Sequence, residues 1–325
     1  MVSSSDFKLD MTVCRFLFVL MACVMLGASC APKSSLPKVG YAQMFVDATL
    51  DKAKQGFFDA LKEGGFENGK NIQVIERNAQ GDNATLNQTI EYFISEKVAL
   101  IATNPTVATI AAVQRTKEIP ICMMVAPRPD LAGLTDEHGN APQNLSGTYE
   151  TLAYIDTSVA LIKQVFPNAK RVGTIYNSSE PNAVNAVGRL RKMCESLGLT
   201  LVEAGVVASN ESQQVALSLI DRKIDVFFAL PDNIIFASFE TIYQIMMSKR
   251  IPIVSSEAGL VERGALMAFG ADFYEWGKQA GEKAVRILKG EKNVSPDEVK
   301  CRKRIYNEKT LQQLGLSVPI GFEKS

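Results

Sequence analysis

The chain has 325 residues, enough for two domains of ordinary size. Hydrophobic residues make up 46% and charged residues 22%, which excludes a disordered polymer and fits a packed globular protein. Lys plus Arg equal Asp plus Glu at 35 each, so there is no global basic field to hold nucleic acid, and no local Lys/Arg cluster replaces it.

The first feature in chain order is an apolar run over residues 16–27, preceded by Arg15 and followed by Gly27-Ala28-Ser29-Cys30. About a dozen apolar residues are too few to span a bilayer comfortably, and small residues after such a run mark a secretory signal peptide. Residues 1–29 are therefore expected to be a signal peptide, with Met11 as an alternative start. Leu26-Gly27-Ala28-Ser29-Cys30 resembles the bacterial lipoprotein box, although Gly27 stands where an aliphatic residue is usual. Cys30 is then the expected lipidation site, and residues 30–37 a lipidated Pro/Ser tether. The expected location is the bacterial cell envelope, as a membrane-anchored lipoprotein facing the periplasm or the cell exterior. Cys122, Cys194 and Cys301 remain in the mature chain and show no metal-ligand spacing. Cys122 reads as a small core residue; Cys194 and Cys301 could be bridged or free.

Strands and helices then alternate. Strands are expected at residues 38–46, 72–75, 98–102 and 119–125, with helices at 50–61, 84–95 and 106–116 between them. After a Gly/Asn/Pro-rich stretch at 132–146, helices at 152–165, 181–197, 211–221 and 234–248 alternate with strands at 171–176, 200–207, 224–230 and 251–255. A strand at 264–269, a helix at 272–289, and a final strand and short helix within 302–318 complete the series. This rhythm predicts an α/β fold of two Rossmann-like lobes with parallel sheets. The halves echo one another, because an apolar strand, a polar loop with Pro and a helix lead to Ile119-Pro120-Ile121 and again to Ile251-Pro252-Ile253.

Ligands of open parallel sheets sit beyond the carboxyl ends of the strands. Gln43, Thr103 and Asn104 fall there in the first half; Tyr176, Ser179, Glu180, Asp232, Asn233 and Glu257 fall there in the second. Helix capping accounts for much of this polarity. The repeated acids Glu180, Asp232 and Glu257 go further, since facing one cleft they would suit an ammonium. Tyr176, Phe269 and Tyr274 are candidate rings for stacking on an aromatic ligand, or ordinary core.

Across residues 38 to about 320 the sequence resembles the ABC-transporter substrate-binding proteins of the class I periplasmic-binding fold, in the branch with aromatic amino acid binders. The stretches that carry the resemblance are Gly40 to Asp51, Pro167 to Asn177, Ser179-Glu180-Pro181-Asn182, Leu230-Pro231-Asp232-Asn233, Arg263-Gly264-Ala265 and Gly270 to Tyr274. It departs at Val46-Asp47-Ala48, where the family often carries an acidic-His-Pro stretch, and at the loop 136–140. The resemblance implies three hinge crossings, near 148–151, 256–257 and 290–300. The N-terminal lobe is then 38–149 plus 257–290, and the C-terminal lobe 150–256 plus 291–325. It implies Gln43, Thr103, Asn104, Ser179, Glu180, Asn182, Asp232, Asn233 and Glu257 as ligand contacts, and Asp232 or Glu257 as holder of an ammonium. It further implies an ABC permease in the inner membrane as partner, a small solute with aromatic amino acids favoured, a monomeric state and no cofactor.

Three other classes compete with this reading. A cleft enzyme has carboxylates available, but the chain has no nucleophile elbow, phosphate loop or zinc pattern, and its one histidine, His138, sits in a polar loop. A repressor sharing the fold would open with a helix-turn-helix rather than an apolar signal. A ligand-sensing accessory protein feeding a membrane receptor fits the sequence as well as an importer component does.

Overall fold

The computed structural model describes residues 36–325, so the expected signal peptide, Cys30 and nearly all of the tether lie outside the described residues. The first half opens with β1 (Lys38–Gln43), α1 (Ala48–Glu63), β2 (Gln73–Asn78) and α2 (Asn83–Ser95). It continues with β3 (Leu100–Asn104), α3 (Thr106–Arg115), β4 (Ile121–Pro127) and β5 (Leu145–Glu150). The second half runs α4 (Tyr154–Val165), β6 (Arg171–Asn177), α5 (Pro181–Ser196), β7 (Thr200–Val206), α6 (Ser212–Asp221) and β8 (Val226–Ala229). Then come α7 (Asn233–Ser248), β9 (Ile253–Ser255), α8 (Ala258–Glu262), β10 (Met267–Ala271) and α9 (Phe273–Leu288). The chain closes with β11 (Asp297–Glu298), β12 (Arg302–Tyr306), α10 (Glu308–Leu314) and β13 (Glu323–Lys324).

The strands gather into two sheets, ordered β11–β5–β4–β3–β1–β2 and β13–β12–β10–β9–β8–β6–β7. Every pairing of the first sheet is parallel; in the second, the β10–β12 junction is antiparallel. β3, β4 and β8 are buried along their whole length, as expected of strands covered on both faces. The repeated Ile-Pro-Ile sits at equivalent places in the two lobes. Ile101 N–H donates to the Pro120 carbonyl at 2.9 Å, and Phe227 N–H to the Pro252 carbonyl at 3.0 Å. Each proline stands just before the fourth strand of its lobe, where its missing N–H breaks no ladder.

Sheet membership corrects the expected crossings. The chain passes between sheets after Glu150, between Ala271 and Phe273, and between Glu298 and Arg302. Residues 258–271 do not return to the first lobe, because α8 and β10 form a fifth βα unit whose strand pairs parallel to β9, Met267 with Val254. Nor do 291–298 belong wholly to the second lobe, since β11 pairs with β5. It is α9 that returns, lying on α1 so closely that a Cβ on Gly277 would stand 1.8 Å from the Ala53 carbonyl oxygen. Glycine is required there by backbone proximity. Cys122, Cys194 and Cys301 are all free thiols.

Candidate functional site

The carboxyl ends of both sheets converge on a small cleft with a cavity volume of about 30 Å³. The first lobe lines it with Thr106 at the start of α3, with Val125–Pro127 of β4 and with Glu150 of β5; the second lobe contributes Tyr154, Asn182, Asn233 and Glu257. Three aromatic side chains complete the wall. Phe236 of α7 meets Phe273 edge-on at 6.0 Å between centroids, and Phe273 lies 5.7 Å from Trp276 in α9. Trp276 is anchored by its indole N–H, which donates to the Thr148 carbonyl at 2.9 Å.

Glu257 follows β9 and is fully buried. Its Oε1 accepts from the Tyr154 hydroxyl at 2.6 Å, whereas its Oε2 has no hydrogen-bond partner. Burial pushes its pKa up to about 8, against the Tyr154 hydrogen bond and with help from the Glu150 charge. Tyr154 is itself held well above its usual range by burial. Glu150 is buried too, but its oxygens accept from Arg302 Nη2 at 2.7 Å and Nε at 3.2 Å, a pair that ties β5 to β12 beside a crossing. The carboxylate of Glu257 is therefore the acid of the cleft with coordination to spare.

The other acids serve differently. Asp232 caps α7: its Oδ1 accepts from Ile234 N–H (2.7 Å) and Ile235 N–H (3.2 Å), and its Oδ2 from Asn177 N–H at 2.7 Å. It is satisfied by backbone and does not line the cavity, although burial raises its pKa to about 6. Glu180 accepts from the side-chain amides of Asn177 and Asn233, and burial followed by the Asp232 charge lifts it to about 7. The expectation that three acids face one cleft is thus corrected to one.

Gln43, Thr103 and Asn104 lie behind the first-lobe wall. Gln43 Nε2 donates to Asp51 at 2.9 Å, the Thr103 and Thr109 hydroxyls bond at 2.8 Å, and Asn104 Nδ2 donates to the Tyr41 hydroxyl at 2.9 Å. They brace the β1 and β3 ends. Ser179 donates its hydroxyl to Asn177 at 2.6 Å, and Tyr176 packs on the second lobe's core. Neither lines the cavity. Of the rings expected to stack, Phe269 lies under Arg304 and Tyr274 donates its hydroxyl to Asp59, both away from the cleft. Glu150, Tyr154, Phe236, Phe273 and Trp276 escaped the sequence reading.

The lobes also meet outside the cavity. Arg263, between α8 and β10, donates Nη1 to Asp47 Oδ2 at 2.6 Å, bonds both oxygens of Glu240 at 2.8 Å, and reaches the Phe236 carbonyl at 2.7 Å. Asp47 is the N-cap of α1, so this cluster clamps the second lobe onto the first.

The family model described as ABC transporter substrate binding protein matches residues 38–321, nearly the whole described chain. The chain belongs to that family. Its members bind small solutes outside the cytoplasm and work with ABC permeases; binding, not catalysis, is their activity. A tyrosine-binding protein of Clostridioides difficile is 36% identical over 280 residues, 86% of this chain and 81% of the relative. A crystal structure of the ABC domain in complex with L-Trp from Streptococcus pneumonia has a TM-score of 0.80 at 27% identity, covering 88% of this chain and 97% of that one. A ligand-free, open substrate-binding protein from Clostridium difficile scores 0.67 at 34% identity, covering 89% and 99%.

Proposed function

We propose that this protein closes its two lobes on an aromatic L-amino acid and delivers it to an ABC permease in the inner membrane. The observation that carries the reading is Glu257 Oε2, a fully buried carboxylate oxygen without a partner in the wall of an aromatic cavity. Burial holds this carboxyl largely neutral, with a pKa of about 8, and a cation brought against it favours the ionised form; the α-ammonium of an amino acid is such a cation. The ligand carboxylate has a complementary place at the start of α3, where Pro105 gives no side-chain cap and Pro105 and Thr106 line the cleft. Phe236, Phe273 and Trp276 supply the apolar face for the ring. The tyrosine and L-Trp relatives agree with this ligand class.

In this account the first lobe comprises 38–150 with 273–298 and the second 154–271 with 302–325. The ligand contacts are Thr106, Asn182, Asn233, Phe236, Glu257, Phe273 and Trp276. Cys30 carries the lipid that holds a monomeric binding protein at the membrane, facing the periplasm or exterior. Ligand bridging the lobes stabilises the closed state by its differential affinity for it. A thermal-shift screen of the purified protein against amino acids, sugars, nucleosides and polyamines tests the proposal. A ligand at 100 times its dissociation constant adds about 2.7 kcal/mol to the folded state. A rise confined to aromatic amino acids is expected; a rise with sugars or nucleosides instead would overturn the assignment.

A further inference from the structure

Two buried polar atoms in the cavity wall have no hydrogen-bond partner among the described residues: Glu257 Oε2, an acceptor once the carboxyl ionises, and Asn182 Oδ1, an amide oxygen that can only accept. Asn182 is 5% exposed and stands in the first turn of α5, just after Pro181. Glu180, two residues before it, is already engaged by the side-chain amides of Asn177 and Asn233. An amide oxygen buried without a donor is costly unless something supplies one.

Glu257 follows β9 and Asn182 follows β6, and β8 lies between those strands. The two groups therefore follow different strands of one sheet, on either side of β8, so one ligand can meet Glu257 with its ammonium and Asn182 with a second group. Resting on the amino acid reading above, we propose that Asn182 determines specificity by accepting a hydrogen bond from a neutral donor at the far end of the ligand ring. Phenolic O–H and indole N–H both meet that requirement; a phenyl ring does not. Asn177, Glu180 and Asn233 buttress the acceptor from behind, since Glu180 takes amide N–H groups from both asparagines.

Calorimetric titration of the wild-type protein and Asn182→Ala with L-tyrosine, L-tryptophan and L-phenylalanine tests this. The wild type is expected to bind tyrosine or tryptophan about 10–100-fold more tightly than phenylalanine, the penalty of leaving one buried acceptor unpaired. The ratio between the first two shows which donor the site prefers. In Asn182→Ala the gap closes to about threefold or less, because the donor-bearing ligands weaken while phenylalanine holds its affinity. Equal wild-type affinity for all three, or a variant that weakens all three alike, overturns the role of Asn182 and leaves the amino acid reading standing. Binding of none of them removes both. Equal wild-type affinities overturn the proposal even if the variant does not fold.

Discussion

Replacing Glu257 by Gln separates function from stability, because its effects on the two have opposite sign. In the ligand-free protein the carboxyl has a pKa of about 8 against an ordinary value of 4.5. A carboxyl raised on folding favours the folded state fully only below the unfolded pKa, and that contribution is lost as pH rises from about 4.5 through 8. At about 1.4 kcal/mol per pKa unit, the difference of 3.5 units sets an upper limit of about 5 kcal/mol above pH 8. Glu257→Gln keeps an acceptor for the Tyr154 hydroxyl and removes this penalty, so the ligand-free variant should be at least about 1 kcal/mol more stable at pH 8. For a chain this size that raises Tm by about 2–4 °C per kcal/mol. Binding moves the other way. Loss of one partner of a buried charge pair costs about 2–5 kcal/mol, so the ligand-induced rise in Tm should disappear. Differential scanning fluorimetry of both proteins, with and without aromatic amino acids at pH 6 and pH 8, reads both effects. A variant that melts lower than wild type at pH 8, or one that keeps the ligand shift, would refute the argument.

Other outcomes follow from the same contacts. Because the ligand-free Glu257 is largely protonated below pH 8, and among the described residues the titratable groups that act on it are Tyr154 and the Arg302-paired Glu150, ammonium binding must expel a proton. Affinity should then rise from pH 6 to pH 8 by up to about tenfold per unit, with a released proton detected by calorimetry in buffers of different ionisation heat. Arg263→Ala leaves the buried Asp47 Oδ2 unpaired in the closed form, so the ligand-free protein should open, seen as a larger radius of gyration in X-ray scattering, and affinity should fall by up to about 100-fold. Asp232→Ala removes a helix cap and the acceptor of Asn177 N–H, and denaturant unfolding should show a loss of about 2–4 kcal/mol. Its affinity for ligand should fall far less than that of Glu257→Gln; the reverse pattern would make Asp232 the ammonium site.

The two-lobe fold was legible because each βα unit carries its own apolar strand and polar turn, and because Ile119-Pro120-Ile121 and Ile251-Pro252-Ile253 mark equivalent strands. The second crossing was not. Nothing in composition distinguishes α8 and β10, a regular fifth unit, from a return to the first lobe. Among the acids, Asp232 and Glu257 look alike in sequence, each two or three residues past a strand. Their difference lies in one methylene. The short Asp232 side chain folds back onto the N–H groups of its own helix, while Glu257 makes no side-chain cap to α8 and its longer arm reaches the cavity. That preference of Asp over Glu for capping was the available signal. Phe236, Phe273 and Trp276 left none, since a ring at the start of a helix has the same spacing whether it packs in the core or lines a cleft.

The most direct measurement is calorimetric titration with L-tyrosine and L-tryptophan beside their deamino analogues, 3-(4-hydroxyphenyl)propionate and 3-(indol-3-yl)propionate. The analogues keep the ring, its donor and the carboxylate, and lack only the cation that Glu257 is proposed to receive. One-to-one binding of at least one amino acid, with its analogue weaker by about 2–5 kcal/mol, is the predicted result. An analogue that binds as tightly as its amino acid would contradict the account.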